Sequence, residues 1–143
     1  MHTLQLTQRT LMSAVQSAVL IVEDDSVIRE SLCEMLVEEG YQVATACHGR
    51  EALDMLRGGS RPCIVVLDLM MPVMDGWQLL DIMRNDQGLQ QIPILVVSAS
   101  RESTQPEGAV RFLNKPINLD ALLTEVGSRC CRRADRGSAA ALP

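Results

Sequence analysis

Three acidic side chains follow apolar runs in this chain. Asp24 and Asp25 come after Ala18-Val19-Leu20-Ile21-Val22, and Asp68 comes after Cys63-Ile64-Val65-Val66-Leu67. Carboxylates gathered at neighbouring strand ends repel one another and need a compensating cation. Hard oxygen donors at an open site suit Mg²⁺, which keeps several waters and takes one or two carboxylates plus phosphate. Ser98, after Pro93-Ile94-Leu95-Val96-Val97, brings a hydroxyl able to donate to a phosphoryl oxygen. Lys115, after the run 110–113, brings a mobile ammonium. A carboxylate nucleophile, a divalent metal, a hydroxyl and an ammonium are what phosphoryl transfer to an aspartate requires.

These residues are useful only if the elements carrying them lie side by side. Short apolar runs bounded by polar residues read as strands buried on both faces, here at 18–22, 41–46, 63–67, 93–97 and 110–113. Between them, helical spacing predicts helices from about Val27 to Met35-Leu36, over 51–57 and over 77–85, with a last one over 119–128. Gly40 reads as a C-terminal cap, and Asp75 and Asn118 as N-caps. Strand alternating with helix implies a parallel sheet with right-handed crossovers, doubly wound, whose ligands bind outside the carboxyl ends of the strands.

The chain has 143 residues, enough for one domain with a core that needs no staple. That core must be aliphatic, because Tyr41, Trp77 and Phe112 are the only aromatics. The scarcity also argues against a base-stacking surface. A net charge of -5 argues against binding duplex DNA through its phosphates. Arg129, Arg132, Arg133 and Arg136 read as a solvated basic tail. The five cysteines are odd in number and form no C-x-x-C, so free or buried thiols in a reducing cytosol are expected, with neither a disulfide framework nor a zinc site. No apolar run is long enough to span a bilayer and no signal peptide is evident, so a cytoplasmic location is expected.

Four segments then resemble the receiver domain of bacterial two-component response regulators, the CheY-like family. They are Val-Leu-Ile-Val-Glu-Asp-Asp (19–25), Val-Val-Leu-Asp-Leu-Met-Met-Pro-Val-Met-Asp-Gly (65–76), Ile-Leu-Val-Val-Ser-Ala (94–99) and Phe-Leu-Asn-Lys-Pro (112–116). The resemblance covers 18–128 and leaves 1–17 as an extension and 129–143 as a disordered tail. It implies a flavodoxin-like sheet of five parallel strands in the order 2-1-3-4-5. It also implies roles: Asp68 as phospho-acceptor, Asp25 as direct metal ligand, Asp24 as the assisting acid, and Met70 as a metal ligand through its backbone carbonyl. Ser98 matches the switch hydroxyl, Phe112 the rotating aromatic and Lys115 the phosphate-contacting lysine, with Lys115-Pro116 as a peptide bond usually cis in the family. Mg²⁺ is the implied cofactor, and a sensor histidine kinase or phosphotransfer protein the implied partner.

The stretch between Ser98 and Lys115 departs from that pattern. It is several residues short, and Pro106 and Gly108 oppose a helix. The family's fourth helix is therefore expected to be shortened, distorted or replaced by a loop, which alters the face that normally reads out phosphorylation. Met70 and Ser100, the positions implied to tune hydrolysis, offer no general base, so slow self-dephosphorylation is expected. The reading is a single-domain regulator acting through a downstream protein partner, with neither nucleic acid nor membrane engaged. The alternatives are a receiver module of a larger hybrid kinase or phosphorelay, a phosphatase-like enzyme turning over a phospho-aspartate, and a scaffold. The phosphatase is disfavoured because the sequence shows no second acid placed as general acid/base near Asp68 and no cap domain for a substrate.

Overall fold

The computed structural model describes residues 18–99 and 106–132. The expected extension (1–17), Ser100 and the tail beyond Arg132 lie outside the described residues. The elements run β1 (Val19–Val22), α1 (Ser26–Glu38), β2 (Val43–Ala46), α2 (Gly49–Arg57), β3 (Ile64–Asp68), α3 (Gly76–Asn85), β4 (Ile94–Ser98), β5 (Arg111–Asn114) and α4 (Leu119–Gly127). All strand pairs are parallel, in the order β2-β1-β3-β4-β5. This is the expected doubly wound sheet. Its order reverses between β1 and β3, where a crevice opens at the strands' carboxyl ends.

Alternation along the strands produces two cores. Leu20, Val22, Val65, Leu67, Ile94 and Val96 face one way, against Leu53, Leu56, Leu79 and Met83 of α2 and α3. Val19, Ile21, Ile64, Val66, Leu95 and Val97 face the other way, against Leu32 and Leu36 of α1 and Leu122 and Val126 of α4. Every residue of β1, β3 and β4 is buried, which is why these strands read as unbroken apolar runs rather than alternating ones.

β3 and β4 extend one residue beyond the expected runs and include Asp68 and Ser98. Gly40 takes φ 97° just past α1. The Tyr41 amide bonds Leu36 O at 3.0 Å and the Gly40 amide bonds Val37 O at 3.0 Å, a double closure that a left-handed glycine makes possible. Between Ser98 and Arg111 the described residues hold no helix, in keeping with the shortened connection.

Two sequence expectations are corrected here. Cys63 and Cys130 form a disulfide with a Cα–Cα distance of 5.4 Å. The 67 residues separating them conceal the contact. α4 returns to the base of the sheet and ends beside the start of β3, which brings the two together. Nor is the basic segment simply solvated as far as it is described. Arg129 bonds Glu125 Oε2 at 2.6 Å, and the Arg132 guanidinium lies 5.8 Å from the centre of the Tyr41 ring.

Candidate functional site

Strand register sets the site. Leu67 lies beside Val22, Asp68 beside Val97, and Ser98 beside Asn114. Glu23, Asp68, Ser98 and Lys115 are therefore carried to one edge of the sheet. The Lys115 amide donates to Ser98 O at 2.9 Å, tying the end of β5 to the end of β4. The Lys115-Pro116 peptide is cis. Asp68 is only 5% exposed and Ser98 is fully buried, an unusual position for a carboxylate unless it is paired.

The Lys115 ammonium donates to Glu23 Oε1 at 2.7 Å and reaches Asp68 Oδ2 at 3.4 Å. One carboxylate oxygen each from Glu23, Asp24 and Asp68 lies within 4.8 Å of the other two. Asp25 is not in this cluster. Its Oδ1 accepts from the Val27 amide at 2.9 Å and the Ile28 amide at 3.2 Å, closing the first turn of α1. The paired acids at the site are thus Glu23 and Asp24, one residue earlier than Asp24 and Asp25. The physical reason is that the last acid before Ser26 is taken by the open amides of the helix. Arg29 then clamps the turn from α1, donating to Glu23 O at 2.9 Å and Asp24 O at 3.4 Å.

Burial raises the Glu23 carboxyl to about 8, and the adjacent Asp68 adds to the rise while Lys115 opposes it. Burial works against the Lys115 ammonium, but its hydrogen bond to Glu23 and the charges of Asp68 and Glu23 outweigh that and raise its pKa. Glu23 Oε2 is buried and has no hydrogen-bond partner among the described residues. Three convergent hard oxygens, with the orphaned buried acceptor Glu23 Oε2 belonging to one of the same carboxylates, fit a small divalent cation such as Mg²⁺.

The Met70 amide donates to Asp68 Oδ1 at 3.1 Å and so orients the carboxylate. The Met70 side chain is exposed. Phe112 lies beside Val96 and is half-buried against the core on the α3 side. Asp75 caps α3, with Gln78 reaching back to complete a capping box. His48 caps α2 by accepting from the Glu51 amide at 3.1 Å. Glu23 is the site residue the sequence reading missed. Its signal was present in Glu23-Asp24-Asp25: once the third acid is assigned to cap α1, the first two are left for the site.

The response regulator receiver domain family matches residues 19–127. The chain belongs to that family. It is 40% identical over 113 residues to response regulator MprA of Mycolicibacterium vanbaalenii, a match covering 76% of this chain and 48% of the relative. MprA of Mycobacterium tuberculosis is likewise 40% identical, over 114 residues. The chain thus spans about half the length of the curated relatives it matches. Among solved structures, the Francisella response regulator 1452 receiver domain is 30% identical with TM-score 0.70, covering 78% of this chain and 94% of that one. Thermotoga maritima TrrA, solved in complex with Mg²⁺-BeF, is 31% identical with TM-score 0.69, covering 78% and 97%. These relatives support a receiver signalling domain on a flavodoxin-like fold. Among the described residues no helix is long and apolar enough to cross a membrane.

Proposed function

We propose that Asp68 is phosphorylated by a phosphohistidine of a sensor histidine kinase or phosphotransfer protein. The observation that carries this reading is the buried Asp68 carboxylate held by Lys115 and placed beside Glu23 and Asp24. An oxygen of Asp68 attacks phosphorus, the histidine nitrogen leaves, and an acyl phosphate forms. The Met70 amide, already on Oδ1, fixes the direction of attack. Lys115 follows the charge from carboxylate to phosphoryl oxygen, and the Ser98 hydroxyl donates to another phosphoryl oxygen. Glu23, Asp24, Asp68 and the Met70 carbonyl are the ligands proposed for Mg²⁺, and Asp25 is assigned to capping α1. When bound, the ion neutralises charge on the equatorial oxygens. Self-dephosphorylation is slow, because the exposed Met70 provides no base for water.

The signal passes by Ser98 and Phe112 shifting together between two conformers and changing a protein-docking face. The shortened connection after Ser98 makes that face differ from the family's usual one. The partners are proteins, the chain does not itself bind nucleic acid, and its location is the cytoplasm. A second reading, a receiver module of a larger regulator or hybrid kinase, is favoured by curated relatives of which this chain covers 48%. A third gains one observation: the acid that a phosphatase needs near Asp68, which the sequence did not show, is supplied in the fold by Glu23.

Incubation with Mg²⁺ and a small acyl phosphate donor tests the assignment. Wild type takes up acid-labile phosphate with one-to-one stoichiometry and Asp68→Asn takes up none. Equal labelling of the two proteins sinks it, and many turnovers of donor per protein favour the phosphatase.

A further inference from the structure

The end of the molecule opposite Asp68 carries a second chemistry. Cys63 immediately precedes β3, the strand that ends in Asp68, and its amide donates to Ala18 O at 3.1 Å at the base of the sheet. Its disulfide partner, Cys130, lies just past α4 and is buried. The following residue, Cys131, is an exposed free thiol. Arg132 then lies across Tyr41, with Nε 3.4 Å from the phenol oxygen and its other end 3.9 Å from Glu39. Residues 128–132 thus form a strap across the base, held at one point by a covalent bond and at another by an ion pair and ring contact.

We propose that Cys63 and Cys130 are a redox-responsive pair, a modification site whose closing fastens this strap and whose opening frees it. Two observations support this. Cys63 is only partly buried, so it is the less covered end of the bond, Cys130 being buried. Apart from the two backbone bonds to Val126 O and the burial of Cys130, the strap is held by ion pairs of Arg129 and Arg132 on groups in contact with solvent, which are weak once the bond is gone. In the cytoplasmic location proposed above, on which this inference rests, a disulfide is transient or redox-sensing rather than a staple.

The reductant supplies two thiols, either from one dithiol molecule or protein or from two molecules of a monothiol such as glutathione. Its thiolate attacks Cys63 Sγ, the S–S bond breaks, and Cys130 leaves as a thiolate that takes a proton. The reductant's second thiolate then displaces Cys63, leaving two thiols on the chain and a disulfide on the reductant. Closing is the same exchange run backwards, with a disulfide as oxidant. Cys131 is exposed whereas Cys130 is buried against the core, so Cys130 is the partner selected. The acceptor site is separated from this pair by the full length of β3, about 16 Å at 3.3 Å per residue, so phosphate uptake does not depend on the bond.

The test uses the full chain. Protein equilibrated with oxidised glutathione is denatured and alkylated. Three thiols should label (Cys33, Cys47 and Cys131), with Cys63–Cys130 recovered as one linked peptide pair. Transfer to a reducing glutathione or dithiothreitol buffer should raise the number to five and speed trypsin cleavage after Arg129 and Arg132 at least ten-fold. Cys63→Ser should cleave at the fast rate with or without reductant, and Cys131→Ser should behave as wild type. Phosphate uptake at Asp68 by wild type in both buffers separates failure here from failure of the acceptor assignment. Five labelled thiols after oxidation, a bond to Cys131, a bond that stays closed in reducing glutathione, or cleavage rates unchanged by reduction would each overturn the proposal. The wild-type measurements decide it even if a serine variant fails to fold.

Discussion

Glu23, Asp24 and Asp25 are three like side chains in a row that end up doing different work. Asp25 spends its carboxylate on two helix amides, whereas Glu23 and Asp24 face Asp68. Asp24→Asn should therefore weaken Mg²⁺ binding at least ten-fold in a calorimetric titration. Asp25→Asn should leave binding within a factor of two, because asparagine caps equally well. Asp25→Ala should cost about 1 kcal/mol of stability. Equal losses of metal affinity in Asp24→Asn and Asp25→Asn would contradict the placement. Val73 stands in the loop after Asp68 at φ 71°, with its side chain in solvent. A β-branched residue is strained there, so Val73→Gly should raise stability by about 1 kcal/mol in urea unfolding. Most of the candidate site was legible in the sequence because Asp68 and Ser98 end strands and Lys115 directly follows one, and strand ends are marked by where an apolar run stops. The choice among three adjacent acids was not, since it depends on where the first turn of α1 begins. Boundaries of that kind shift by a residue or two in any sequence reading.

α3 is pressed against the end of β3 at Gly76. A Cβ at that position would collide with the Asp68 carbonyl oxygen and sit 2.6 Å from Leu69 Cα. The Gly76 amide bonds Leu69 O at 3.0 Å, so the contact is backbone on backbone and has no flexible end to yield. Gly76→Ala should displace the loop 69–75, destabilise by about 1–3 kcal/mol and lower the rate of phosphate uptake. A variant with wild-type Tm and uptake would show that the contact is not needed. On α4, Glu125 accepts from Arg111 at 3.1 Å and from Arg129 at 2.6 Å. The Arg111 hydrogen bond, against some burial cost and with help from Arg129, holds its carboxyl below the ordinary 4.5. A carboxyl with a depressed folded-state pKa contributes stability that is present above the unfolded value and lost as pH falls through the folded one. Glu125→Gln should therefore be less stable than wild type at pH 7 by about 0.5 kcal/mol for these partly exposed pairs. The difference should close as pH falls from 5 to 3. Guanidinium unfolding of both proteins across that range checks it, and a difference independent of pH would mean the loss is one of packing.

At the scale of the whole molecule, five parallel strands set the distance between Asp68 and the groups gathered beside it; the parallel sheet was readable from alternation of strand and helix, and its strand order from the family resemblance. The lack of a helix between β4 and β5 among the described residues was readable too, from a short span holding Pro106 and Gly108. The closure by Cys63 and Cys130 was not, since nothing in a sequence announces that two cysteines 67 residues apart meet. Closing a loop of that length should stabilise the oxidised form by about 2–4 kcal/mol over the reduced one. A comparison of urea unfolding with and without dithiothreitol measures this, and identical midpoints would show that the bond is not formed in solution. The claim on which the rest depends is that phosphate arrives at Asp68. Protein phosphorylated by a small acyl phosphate in Mg²⁺ and then treated with borohydride carries the mark in place, because hydride reduces an aspartyl phosphate to homoserine. Peptide mass spectrometry should find homoserine at position 68 and nowhere else. Homoserine at another aspartate, or a phosphorylated protein with position 68 unaltered, would contradict the account.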